Sequence, residues 1–387
     1  MRGPPARAGG APSGGGGVAG GVGPTVGVEE EFLLVDAADG CPVGLSDTVL
    51  DADRRRHRPG GRAPGCGAGR EFQRELLSTM VETASGVCTD LAGLRAELTA
   101  SRSRLAAAAR KAGARPVACG TAPMAAAPRA VSPTPHYRQM ARLYGRLTDE
   151  TETCGCHVHV GVPDREAAVA VLNHLRPWLP VLLALSANSP FHQGADTGHA
   201  SWRTLVLSRW PTHQIPPYFE SAEHYDRTVA ELRYAGVLPV RAANAYWFAR
   251  PSAHLPTVEV RIADVTPSVD EAVLQAGLTR ALVATALDAV AAGRRAPRLP
   301  EHAVGAALWT AARHGVRGPA VHPVSGRRVP AAEAVRALLD WVGPALRATG
   351  DEEELRALAA DVVSRGTGAD RQRQCSGSGP WTPLPLL

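Results

Sequence analysis

The chain has 387 residues, enough for a substantial core and, by length alone, for two or three domains. Its formal charge is +5, from 42 basic and 37 acidic residues, a balance that raises nucleic-acid binding as a function. That class is set aside, because Lys111 is the only lysine, arginine rises together with alanine, glycine and proline, and no aromatic residues interleave with arginine as a stacking platform requires. The seven cysteines are odd in number and scattered, which is not the framework of a small secreted disulfide scaffold.

Residues 1–24 are rich in glycine, proline and alanine and read as a disordered tail. They lack the apolar core of a signal peptide. The longest apolar run, 177–188, is too short to span a bilayer. A cytoplasmic protein without a membrane span is expected.

The first strand is predicted at Val26-Gly27-Val28-Glu29-Glu30-Glu31-Phe32-Leu33-Leu34-Val35. Successive side chains of a strand point to opposite faces. Glu29 and Glu31 therefore share one face. Val26, Val28, Phe32 and Leu34 take the other, with Glu30 among them. Neighbouring carboxylates fit β-structure poorly, and a divalent cation is the simplest compensation. Residues 51–70, dense in arginine, glycine and proline, are expected to form a mobile surface loop.

A helix follows Asp90, with Leu91, Leu94, Leu98 and Leu105 at helical spacing and Gly113 as its C-cap. The next strand is Cys154-Gly155-Cys156-His157-Val158-His159-Val160-Gly161. Two thiols and two imidazoles suggest a zinc site. Strand parity argues against it, since Cys154 and Cys156 point away from His157 and His159. The cysteines then read as small buried hydrophobes. The histidines alone leave two readings open, a ligand site or a hydrogen-bonded sheet face.

Asp164 is placed to cap a helix that Pro177 and Pro180 interrupt before a buried apolar run. Thr257-Val258-Glu259-Val260-Arg261-Ile262-Ala263-Asp264 gives the clearest alternation. Val258, Val260 and Ile262 form an apolar face, and Thr257, Glu259 and Arg261 a polar one. An acid beside a fixed cation on one inner face suits a site that holds a metal and an anion. Ser268 and Glu271 have capping-box spacing ahead of a long apolar helix, and Asp351 and Glu354 repeat it. Residues 375–387 read as a second tail. The strands are separated by long helical stretches without βαβ alternation, so an α+β fold is expected, an antiparallel sheet with helices on one side.

No G-x-x-x-x-G-K-[ST] and no strand-following G-x-G-x-x-G is present. A nucleotide, if used, must be held through metals and arginines.

The chain resembles the type 2 glutamate–cysteine ligase family, the YbdK-type ATP-dependent carboxylate–amine ligases. The matching segments run in one order over about residues 24–375. They are Gly27-Val28-Glu29-Glu30-Glu31-Phe32, Glu75 through Glu82-Thr83, Gly155 to Gly161, Leu185-Ser186-Ala187-Asn188-Ser189-Pro190-Phe191, Asp196-Thr197-Gly198 through Ser201-Trp202-Arg203, Tyr246-Trp247, Arg250-Pro251-Ser252, Thr257 through Asp264, and Gly366-Thr367-Gly368-Ala369-Asp370-Arg371-Gln372-Arg373.

The resemblance implies a glutamine-synthetase-like fold, one catalytic domain over 25–374 in which a curved antiparallel sheet forms an active-site funnel. It implies ATP and Mg²⁺ or Mn²⁺, glutamate as the carboxylate, cysteine as a possible amine, and a homo-oligomer. It assigns Glu29, Glu31, Glu75, Glu82, His157 and Glu259 to metal. His159, Arg261 and Arg371 are assigned to the nucleotide, and Arg203 and Arg261 to the transferred phosphoryl group. Glu75 and Glu82 would face opposite sides of one continuous strand, so a bend between them is required. Phe248 and Ala249 stand where a more polar pair is expected, which bears on substrate choice. Two other functions fit parts of the pattern: a zinc metallohydrolase built on His157 and His159, and a non-enzymatic amino-acid or nucleotide binder.

Overall fold

A computed structural model of the chain describes residues 23–56, 72–125, 130–240 and 242–376. Seven strands form one open sheet: β1 (Val26–Asp36), β2 (Gln73–Arg74), β3 (Met80–Ala84), β4 (Ala114–Val117), β5 (Gly155–Gly161), β6 (Ala249–Pro251) and β7 (Thr257–Asp264). The order is β2-β3-β1-β5-β7-β6, with β4 pairing the far half of β1 beyond β3. Every pairing is antiparallel. The α+β fold expected from the sequence is the fold observed.

Alternation decides which face is buried. Val26, Val28, Cys156, Val158, Val160, Val258, Val260 and Ile262 enter one apolar cluster. Leu91, Leu94 and Leu98 of the Leu91–Lys111 helix join it, as do Val171, Leu172 and the apolar side chains of Val269–Ala291. The last helix is long and apolar enough to cross a membrane, so 177–188 is not the segment that best meets that test. Most of it (72%) is buried inside the molecule, which marks it as the core helix.

Glu30 faces this core, as parity required. Its carboxylate accepts from Arg102 Nε (3.1 Å) and Nη2, and Arg102 also donates to the carbonyls of Pro267 (3.0 Å) and Thr266 (2.9 Å). Both side chains are fully buried. A one-residue slip of β1 would exchange Glu30 for Glu29 and Glu31 in the core, so the pair also fixes the register that aims those two outward.

Asp164 and Ser268 cap as expected, and Asp90 caps as well. Asp90, Asp164 and Ser268 accept from Gly93, Ala167 and Glu271 backbone N–H groups. Gly113 follows the first of these helices at φ +78°, the left-handed turn glycine allows. Asp351 does not cap. Its carboxylate takes Arg280 and Thr349 instead, and its backbone is already helical. Residues 51–56 are not loop but the end of the Ser46–Arg56 helix. That stretch holds no glycine or proline, and its Asp53 is buried against Arg104 at 3.0 Å. The rest of the expected loop, 57–70, lies outside the described residues, as do 1–22 and 377–387. The final helix, Gly368–Ser376, runs two residues past the expected domain end.

Candidate active site

Register assembles the polar face. Residues directly opposite in an antiparallel pair share a face. Glu31 lies opposite Glu82, Glu29 opposite His157, His159 opposite Glu259, and Glu259 opposite Arg250. One polar row therefore crosses β3, β1, β5, β7 and β6. It lines a cavity of about 660 Å³. Glu75 sits in the bend between β2 and β3, the break that its spacing from Glu82 required.

Two groups of potential ion ligands result. Glu31, Glu75 and Glu82 each offer an oxygen within 4.8 Å of the others, and so do Glu29, His159 and Glu259 with their ligand atoms. His157 stands between the groups, its Nδ1 3.6 Å from Glu29 and its Nε2 3.6 Å from Glu31. Those separations are too long for hydrogen bonds, and the buried Nε2 atoms of His157 and His159 have no partner.

Burial, followed by repulsion from Glu75, pushes Glu31 up to about 8. Burial, then Glu75 and Glu29, raises Glu82 well above the usual carboxylate range. Burial also pushes Glu29 upward, but contacts with His157 and His159 outweigh it and hold that carboxyl low. Burial, then Arg261, lowers His157 to about 3, so its imidazole is neutral. Clustered carboxylates that resist ionising together, beside a neutral His157 and two imidazoles with orphaned nitrogens, fit divalent cations. Oxygen-dominated donor sets suit hard Mg²⁺ or Mn²⁺.

This gives a pH prediction. A cation needs Glu31 deprotonated, so protons compete with it below about 8. Mn²⁺ affinity, measured by calorimetry, is expected to weaken at least about tenfold per pH unit below that point, since Glu82 is raised as well. Glu75→Gln removes the main charge acting on Glu31 and should shift the break to lower pH. A flat profile from pH 6 to 8.5 would contradict it.

The cations of the site are arginines held by the same strands. Arg250 grips Glu259 with two bonds (2.8 and 3.1 Å), and Arg261 bonds Glu259 and approaches His157 Nδ1 at 3.3 Å. Arg203 donates to the carbonyls of Ile262 and Arg261 (3.2 Å each) and lies 3.7 Å from buried Asp264. Asp264 is fixed in turn by Asn188 N–H and the hydroxyls of Ser189 and Ser201. A Cβ on Gly155 would lie 2.3 Å from the Arg203 guanidinium, so a side chain there would displace that arginine.

Arg371 is not brought to the cavity. Its guanidinium donates to both oxygens of Glu271 (2.6 and 2.8 Å) at the start of the core helix, and no geometry links it to the strand site. Arg250, Tyr137, His213 and Tyr246 line the cavity and were not among the expected site residues. Arg250 stands in a segment that matches the family but carries no expected role, and its strand is too short to show alternation. Phe248 is buried and also borders the cavity, while Ala249 is fully buried.

Neither cysteine of the β5 segment joins an ion-ligand group. Cys156 lies in the core beneath β5. Cys154, just before the strand, is buried in the second apolar cluster with Phe32 and Trp210. Replacing both by alanine should cost about 1–3 kcal/mol of stability, measured by urea unfolding, and leave the metal requirement of activity unchanged. Loss of one tightly bound zinc per chain from that variant would contradict the assignment.

A family model described as glutamate-cysteine ligase family 2 matches residues 25–382. A protein of Saccharopolyspora erythraea, provisionally named glutamate–cysteine ligase 2-2, is 49% identical over 94% of this chain and 90% of its own length. One from Salinispora arenicola, provisionally named glutamate–cysteine ligase 2, is 48% identical over 90% of this chain and 89% of its own. Among solved structures, the glutamate–cysteine ligase of Francisella tularensis in complex with AMP superposes with a TM-score of 0.61 at 12% identity, over 93% of this chain and 86% of that one. A bifunctional glutathione synthetase of Pasteurella multocida gives 0.62 at 14% identity, over 92% of this chain and 50% of that one. The chain belongs to glutamate-cysteine ligase family 2 and is a ligase that forms a carbon–nitrogen bond.

Proposed function

We propose that the chain is an ATP-dependent carboxylate–amine ligase that works through an acyl phosphate, with glutamate as the carboxylate and cysteine among its amines. The substrates follow the names of its relatives. The observation that carries the chemistry is the single polar row. Two carboxylate groups, a neutral His157 between them and three arginines face one cavity.

Glu31, Glu75 and Glu82 would hold one divalent ion, and Glu29, His159 and Glu259 another. When bound, such ions neutralise triphosphate charge. The protein's own part is positioning and electrostatics. An oxygen of the substrate carboxylate attacks the γ-phosphorus, the bond to the β-phosphate oxygen breaks, and ADP leaves. The amine nitrogen then attacks the acyl carbon, the carbon–oxygen bond to phosphate breaks, and the nitrogen loses a proton. Arg261 and Arg203 meet the charge on the moving phosphoryl group.

A second cavity, of about 600 Å³, adjoins the first and shares Glu29, His159 and Leu255 with it. Its other walls include Val87, Val162, Pro163, Pro256 and Leu287, an apolar lining suited to a base. The nucleotide would lie with its base there and its phosphates over β1, β5 and β7.

The test is ADP release, screened over pairs of amino acids and amines. ATP, Mg²⁺ and both organic substrates should all be required. Turnover without ATP, abolished by a zinc chelator, would point to a hydrolase. Ligand uptake without ADP would leave only a binding protein.

A further inference from the structure

The row of carboxylates and arginines leaves one wall of the 660 Å³ cavity unexplained. Trp210, His213 and Tyr246 stand there together. The His213 and Tyr246 rings are stacked, 5.2 Å apart and 6° from parallel. Trp210 meets both edge-on, at 5.6 and 6.4 Å. The stack is fixed from behind: Trp210 donates to Thr151 (2.8 Å) and Tyr246 N–H to the Thr212 hydroxyl (3.0 Å).

Nδ1 of His213 and the hydroxyl of Tyr246 are nevertheless buried without hydrogen-bond partners. Two orphaned groups on one rigid stack are costly unless something docks against them. Arg261, Arg203 and Arg250 line the same cavity and act electrostatically on His213, so guanidinium groups flank the wall. Both orphans can donate, the tyrosine through O–H and the imidazole through N–H. Unpaired donors flanked by guanidinium groups fit an anion.

We propose that this wall is the acceptor-specificity site, with Tyr246 and His213 binding the carboxylate of an amine substrate that is itself an amino acid. This deepens the ligase reading and rests on it. An acceptor lacking the carboxylate leaves both donors buried and unpaired, which penalises it.

The experiment uses matched acceptors, cysteine against cysteamine and alanine against ethylamine, with the full chain, glutamate and MgATP. The amino acid of each pair should be preferred by about 100-fold in kcat/KM. Tyr246→Phe and, separately, His213→Phe should each cut that preference about tenfold, with the loss falling on the KM of the amino acid and not on kcat. His213→Phe keeps a ring for the stack, which covers the case that one variant fails to fold.

Calorimetry separates the two readings. If cysteine binding weakens in the variants but no pair releases ADP, the wall stands and the ligase reading falls. If ADP forms with both members of each pair at similar kcat/KM, the ligase reading stands and the wall assignment falls. Equal losses for amino acid and amine in both variants, or no binding by either, would also overturn it.

Discussion

Replacing Glu259 with glutamine is expected to cut kcat/KM about a thousandfold, some 4 kcal/mol of transition-state stabilisation, without unfolding the protein. Glu259 is buried and carries three duties at once. It accepts two bonds from Arg250, one from Arg261, and it shares an ion-ligand group with Glu29 and His159. Attraction to Arg261 and Arg250 overcomes the cost of burial and keeps the carboxylate ionised. Glutamine preserves shape but removes the charge. Two guanidinium groups then face each other without a counter-charge, and the ion loses an oxygen ligand. ADP release and a thermal melt on the same preparation decide the matter. A folded variant that keeps full activity would remove Glu259 from the site.

Replacing Arg102 with methionine should destabilise the chain by about 3–5 kcal/mol. The change leaves the Glu30 carboxylate buried without the Arg102 guanidinium, on the strand that carries Glu29 and Glu31. Set against a typical total of about 5–15 kcal/mol, that is a large share. The double change Glu30→Met with Arg102→Met should recover most of the loss, because it removes both desolvated charges together. Urea unfolding of the two variants checks this. Equal destabilisation of single and double variants would show that the pair's charges are not what matters.

Strand parity made much of the polar face legible. The pairs Glu29 with Glu31, His157 with His159, and Glu259 with Arg261 follow from period-two alternation alone. Their mutual register does not, because it is set by long-range pairing such as Glu31 against Glu82. Glu75 needed a bend that no local signal placed. Cys154 is buried as expected, but it lies before the first paired residue of β5 and packs in the second apolar cluster. Arg371 shows a different limit. Its match to the family placed the residue, but the Glu271 that captures it comes from a helix start about a hundred positions away. The stack of His213 on Tyr246 joins two irregular segments, and nothing in either segment announces the other. Asp351 illustrates competition: a buried arginine takes the carboxylate that a helix start would otherwise use.

The route through an acyl phosphate is tested most directly by isotope transfer. The carboxylate substrate is supplied with heavy oxygen in its carboxyl group, and the phosphate released with each amide is weighed. One labelled oxygen per turnover should appear in inorganic phosphate, because the attacking carboxylate oxygen leaves with the phosphoryl group. Unlabelled phosphate alongside accumulating amide, or label in AMP, would show that the γ-phosphoryl group never joins the carboxylate.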